Sequence, residues 1–132
     1  MGWRVKGLKG EGAHLENRLP GGASNPYLVM AGVLAAGLDG LANKIEPPAE
    51  TTGIAYGLTG VADLPTRLEI ALEALESDRA LRARLGEEFV KLFTGVKHHE
   101  INKARQNCST FEAPDFNQHV DPWEVAEYFE FL

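Results

Sequence analysis

A carboxylate and a guanidinium stand two residues apart at Glu16 and Arg18. On an extended strand this spacing sets both on one face, with their Cα atoms roughly 6.6 Å apart. The Glu16 oxygens are hard ligands suited to Mg²⁺ or Mn²⁺. The planar fork of Arg18 suits a carboxylate or phosphate. Such a pair could hold a metal and an anionic substrate side by side. Spacing alone equally describes a surface ion pair on a wetted sheet, which contributes little. Other reactive types are scattered. His98 and His99 are adjacent on a predicted helix, where neighbours diverge by about 100°, so their imidazoles do not converge on a metal. Cys108 is the one cysteine; it has no apparent partner base, excludes an internal disulfide and favours a reducing compartment.

The elements that must position these groups can be read along the chain. Trp3–Lys9 and Ala13–Leu19 flank Gly10-Glu11-Gly12, which predicts a β-hairpin over residues 1–19. The period of two sets His14, Glu16 and Arg18 on one face, with Ala13, Leu15 and Asn17 on the other. Pro20-Gly21-Gly22 ends the strand. Asn25-Pro26 predicts a helix start, and residues 25–43 are apolar almost all round, so this helix should be buried on every side. Gly32, Gly37 and Gly40 would then admit a neighbouring backbone. The segment is short and glycine-rich for a membrane span.

Residues 44–63, with Pro47-Pro48, read as a loop. Residues 66–105 read as helices. Thr66 with Glu69 suggests a capping box, and Leu68, Leu72 and Leu75 form one stripe. Asp78 caps a short turn to Leu85, and Phe89, Leu92, Phe93 and Val96 face inward. Gln106–Val120 is irregular. Asp121-Pro122-Trp123-Glu124 starts a terminal helix over 121–132, whose Tyr128, Phe129 and Phe131 suit packing. The fold class expected is α+β: an N-terminal hairpin followed by about four packed helices.

At 132 residues, 44% hydrophobic and 24% charged, the chain has the size and composition of one globular domain. A net charge of −6 without a dense basic run argues against nucleic acid or an anionic membrane as the main partner. Met1–Lys9 lacks the apolar core of a signal peptide, so the expected compartment is the cytoplasm.

Three motifs occur in order: Leu15–Arg18 (LENR), Ser24–Leu28 (SNPYL) and Ala35–Leu41 (AAGLDGL). They closely resemble the glutamine synthetase family's metal-binding Glu, substrate-binding Arg, A-N-P-Y loop and following helix. Downstream, LPTRLEIALEALESD, LGEEFVKLF and EYFEFL look like that family's C-terminal helices in the same order. The resemblance implies a hairpin taken from a barrel-like active site between subunits of a homo-oligomeric ring. It implies ATP-dependent amide formation from glutamate and ammonia or another amine, through a γ-glutamyl phosphate, with Mg²⁺ or Mn²⁺ as cofactor and ATP as co-substrate. In that setting Glu16 matches a metal ligand, and Arg18 matches the arginine that holds substrate anionic groups, making both catalytic candidates.

There are departures. Gly10–His14 lacks the basic residues that active bacterial relatives often carry, and looks like the lengsin branch, considered non-catalytic. Tyr56 falls where some bacterial members carry an adenylylated tyrosine, in a context that departs from theirs, so an ordinary loop tyrosine is the better reading. Family members are roughly three times this length, beyond the usual span of one domain. The resemblance therefore implies a C-terminal fragment, isoform or truncation that is inactive alone. A lengsin-like structural protein and a small helical interaction module stand as alternatives.

Overall fold

The computed structural model describes residues 2–7, 9–51, 60 and 62–129. Trp3–Lys6 (β1) and His14–Asn17 (β2) pair antiparallel, with Lys6 opposite His14 and Trp3 opposite Asn17. The connecting turn depends on Gly7 and Gly10, at φ 62° and 95°, a region open mainly to glycine. The Arg18 amide donates to the Gly2 carbonyl at 2.8 Å, which extends the ladder beyond β2.

Helix α1 covers Pro26–Asn43. The Asn25 side chain accepts from the amides of Tyr27 and Leu28, and Pro26 occupies the first turn. Burial on every side is not what the chain shows. Ala35 is the buried residue of α1, while Tyr27, Leu34 and Leu41 are 75%, 64% and 78% exposed. Among the described residues no atom of another element lies within 4 Å of a Cβ built on Gly32, Gly37 or Gly40, so none of them brings a backbone against these glycines. The physical reason is a shortage of partners among the described residues. Helix α3 (Arg79–Leu85) packs on α1 and is tied to it by Arg84 and Asp39 at 2.9 Å. The hairpin stands off across a cavity of about 580 Å³, with Trp3 and Leu15 facing Val29, Val33 and Leu34. Two neighbours leave much of an all-round apolar helix uncovered. By length and composition alone, these 18 residues of mean hydropathy 1.2 also meet the requirement for crossing a membrane.

The remaining helices are α2 (Leu68–Ser77), α4 (Glu87–Asn107) and α5 (Pro122–Tyr128). Helix α2 begins one residue after Arg67, not from a Thr66 cap, and Glu69 pairs with Arg67. Asp78 caps α3 by accepting from the Leu81 amide. Asp121 and Glu124 form a full capping box on α5, with Pro122 in its first turn. Leu72, Ile101, Cys108 and Phe111 make the core, with Phe93, Ala104, Phe116 and Trp123 packed around it. Of the stretch Gln106–Val120 expected to be irregular, Gln106 and Asn107 complete α4 and Phe116–Gln118 forms a 3₁₀ turn; the rest is irregular, yet it supplies two of those buried residues.

Helix α4 turns inward a face that shares only Phe93 with the expected one. Val90, Thr94 and Ile101 are buried, whereas Phe89, Leu92 and Val96 are 36%, 70% and 49% exposed. The helix carries two apolar stripes. The one through Val90, Phe93, Ile101 and Ala104 runs its full length, while the other ends at His99. Burying the longer stripe removes more apolar surface from water.

A charged clamp closes this half. The Arg67 guanidinium lies 4.9 Å from the Phe111 ring centre and 5.3 Å from that of Phe116, and donates to the Phe111 carbonyl at 3.1 Å. Arg105 lies 5.0 Å from the Phe111 ring centre, and both arginines reach Glu69, at 3.2 and 3.7 Å. Burial alone would raise the Glu69 pKa. Its backbone N–H, the Arg67 hydrogen bond and the charges of Arg67 and Arg105 outweigh that and hold it below the ordinary 4.5.

Two outcomes follow for urea unfolding followed by circular dichroism. Leu72→Ala should cost about 2–5 kcal/mol, as core truncations do, whereas Leu34→Ala on the exposed face of α1 should stay within about 0.5 kcal/mol. The pH dependence has a fixed sign. Because the folded pKa of Glu69 is depressed, its contribution is present above 4.5 and is lost as pH falls through the folded value. Wild type should therefore lose stability more steeply than Glu69→Gln below that pH; parallel curves would remove the clamp from the account.

Candidate active site

The hairpin register builds the site. Partner residues across the turn are equidistant from Gly10, so Arg4 pairs with Glu16 and Lys6 with His14. Lys6 is thereby diagonal to Glu16, within reach of a long side chain. The Arg18 Nε lies 3.3 Å from Glu16 Oε1, and the Lys6 Nζ lies 3.6 Å from Glu16 Oε2. Glu16 is half-buried and Arg18 exposed. The two candidate residues therefore share one side of the strand and touch. Leu15 and Asn17 line the cavity against α1, so the charged pair faces away from that helix.

Lys6 is the member that the sequence reading left at a distance. Its signal was the symmetry of the pairing about Gly10, which places it against Glu16 once the turn is known. His14 is turned back on its own strand: the ring Nδ1–H donates to the Gly12 carbonyl at 2.8 Å, because a carbonyl can only accept.

Among the described residues, Glu16 Oε2 is a buried oxygen without a hydrogen-bond partner, since the Lys6 contact is longer than a hydrogen bond. An orphaned hard oxygen beside an anion-binding fork fits one position in the shell of a divalent cation. It does not make a shell alone. Among the described residues no three His, Cys, Asp or Glu side chains converge on one point. Such a cation needs about six oxygen ligands, of which this hairpin has the chemistry to offer one.

The other candidates resolve differently. His98 pairs with Glu76 at 3.1 Å, a contact between α4 and α2. Cys108 is buried, its Sγ 3.3 Å from the Thr110 hydroxyl. Its hydrogen bond to Asp121 is the foremost cause, ahead of the Trp123 amide, that lowers the pKa of that capping carboxylate. Tyr56 lies outside the described residues. A separate cavity of about 380 Å³ sits between α2, α4 and α5, and Arg67, Glu69, Trp123 and Tyr128 line it. Burial, then the charges of Glu100, Glu127 and Glu124, raise the Tyr128 pKa.

Comparison with known proteins decides the family. The sequence pattern described as the glutamine synthetase catalytic domain matches residues 2–128. The chain belongs to the glutamine synthetase family. It is 35% identical over 133 aligned positions to a glutamine synthetase of Thermococcus kodakarensis, covering 96% of this chain and 30% of that protein. It is also 35% identical to a glutamate–methylamine ligase of Methyloversatilis universalis, covering 95% of this chain and 27% of the relative. Human lengsin is 42% identical over 94 residues, covering 69% of this chain and 18% of lengsin. The chain thus spans about three tenths or less of the length of these relatives. The α+β order of hairpin then helices is consistent with the C-terminal part of that domain.

Proposed function

We propose that this chain contributes Glu16 and Arg18 to the active site of an ATP-dependent ligase that joins ammonia or another amine to glutamate. The carrying observation is the hairpin pair: a carboxylate with one oxygen, Oε2, that has no hydrogen-bond partner among the described residues, and the other, Oε1, 3.3 Å from a guanidinium nitrogen. Family membership supports the reading, and relatives named for ammonia-derived and methylamine-derived products leave the amine unassigned.

In this reading Glu16 is one ligand of Mg²⁺ or Mn²⁺. When bound, the cation would offset the charge of ATP phosphates. Arg18 would hold an anionic oxygen of glutamate or of the phosphoryl group in its planar fork, and orient it for attack. Lys6 would hold a positive charge 3.6 Å from the Glu16 carboxylate and so help to fix its orientation. The remaining ligands and the nucleotide site would come from outside these 132 residues, in the same polypeptide or in a neighbouring subunit of a homo-oligomeric ring. The same missing mass would cover the apolar face of α1. The chain alone is then inactive, and the cytoplasm, where ATP and glutamate are abundant, is the compartment that suits it.

A second reading is a lengsin-like structural protein, favoured by the higher identity to lengsin over its shorter alignment. In that case Glu16 and Arg18 persist only as an ion pair.

The test is amide formation from ATP, glutamate and either ammonia or methylamine by the native assembly that carries this hairpin. Glu16→Gln and Arg18→Ala should each lower kcat by on the order of 100-fold, the scale of losing one placed charge. Both should remain folded, because a half-exposed ion pair contributes about 0–1 kcal/mol. Wild-type rates in Glu16→Gln would refute its role. Binding of neither ATP nor Mn²⁺ by the native assembly would leave the structural reading.

A further inference from the structure

Helix α4 leaves its second apolar stripe on the surface. Glu88, Lys91, Leu92, Gly95, Val96 and His99 line one groove along it, and all six are exposed. Glu88, Leu92, Gly95 and His99 are separated by four, three and four residues. That alternation is the seam along which two helices interlock by knobs into holes. The ends of the seam carry opposite polarity, an acid at Glu88 and an imidazole at His99. Its middle holds one large and one absent side chain. Nothing lies within 4 Å of a Cβ built on Gly95, so the space above it is open.

These features are self-complementary when two such helices run antiparallel. A two-fold axis midway along the seam sets Leu92 of one helix over Gly95 of the other, twice. It also sets Glu88 against the second copy's His99 at both ends, where the carboxylate accepts from an imidazole N–H. A parallel pairing would instead put acid on acid and leucine on leucine. An isologous contact in which Glu88, Leu92, Gly95 and His99 each find a complement is the pattern of a symmetric dimer. We propose that the exposed face of α4 is a docking surface for α4 of a second copy of this chain, paired antiparallel about a two-fold axis. The contact is independent of the ligase reading, since it uses none of the hairpin residues. Three helical turns bury less than a standard interface of about 1,600 Å², so the association is weak and dependent on concentration.

Register-specific cross-linking tests it. Chains carrying Leu92→Cys and chains carrying Gly95→Cys, distinguishable by mass, are mixed and oxidised with copper–phenanthroline. Gly95 has room for the new side chain, and native Cys108 is buried. The mixture should give a disulfide joining one variant to the other, in several-fold excess over dimers formed by either variant alone. Absence of the mixed species, or equal linking in Leu92→Cys alone, overturns the proposal. A second measurement separates it from non-specific association through α1. In sedimentation velocity Glu88→Lys should weaken the dimer at least several-fold, and adding His99→Glu should restore it. Failure of that rescue also overturns the pairing.

Discussion

Alternation of side chains along β2 is the constraint from which the rest follows. Because successive residues point to opposite faces, Leu15 and Asn17 turn toward α1 while Glu16 and Arg18 turn away together. A slip of one residue in the pairing would reverse both sets at once. The slip is opposed by the glycines of the turn, which fix the pairing about Gly10, and by the Arg18 amide bond to Gly2. The apolar side of the strand and its charged side are thus two consequences of one register.

The two halves of the chain differ in how far they satisfy themselves. In the C-terminal half, Leu72, Ile101 and Phe111 are removed from water, and the Glu69–Arg67–Phe111 clamp adds contacts between cations and rings, each about 0.5–2 kcal/mol. In the N-terminal half, α1 keeps Tyr27, Leu34 and Leu41 in solvent. Each forgoes the roughly 1.5–3 kcal/mol that full burial of a large apolar side chain gives. Three such side chains outweigh everything that the Asn25 cap and the Asp39–Arg84 pair contribute. The N-terminal half is therefore the part whose stability depends on cover, and it is also the part that carries the candidate site.

Where local chemistry decides an element, the sequence was readable. The caps Asn25, Asp78 and Asp121 announce α1, α3 and α5, because each offers a carboxylate or amide oxygen to orphan amides. The hairpin was legible from its glycines, and the Glu16–Arg18 pair from a spacing of two. Readings that depended on a neighbour fared unevenly: Leu72, Phe93 and Trp123 do pack on the core, while others did not hold. The burial of α1 was inferred from composition, which says that a helix wants cover but not whether any is present. The inward face of α4 was read from Phe89, Leu92, Phe93 and Val96, of which Phe93 packs on the core, although a second stripe through Val90, Ile101 and Ala104 ran longer. The importance of Cys108 and Phe111 to the core was hidden in a segment without periodicity, where no pattern marks a buried residue. Lys6 was missed because cross-strand diagonals exist only after the register is known.

The central claim is that Glu16 Oε2 is held ready for a cation. Electron paramagnetic resonance of free Mn²⁺, titrated into the native assembly, reads this without any need for turnover. The account predicts that Glu16→Gln weakens the uptake of one Mn²⁺ equivalent by about 10-fold or more, the scale on which even outer-shell groups act. Arg18→Ala should leave that uptake at the wild-type level or tighten it. Unchanged uptake in Glu16→Gln would contradict the account and reduce the pair to an ion pair on a sheet.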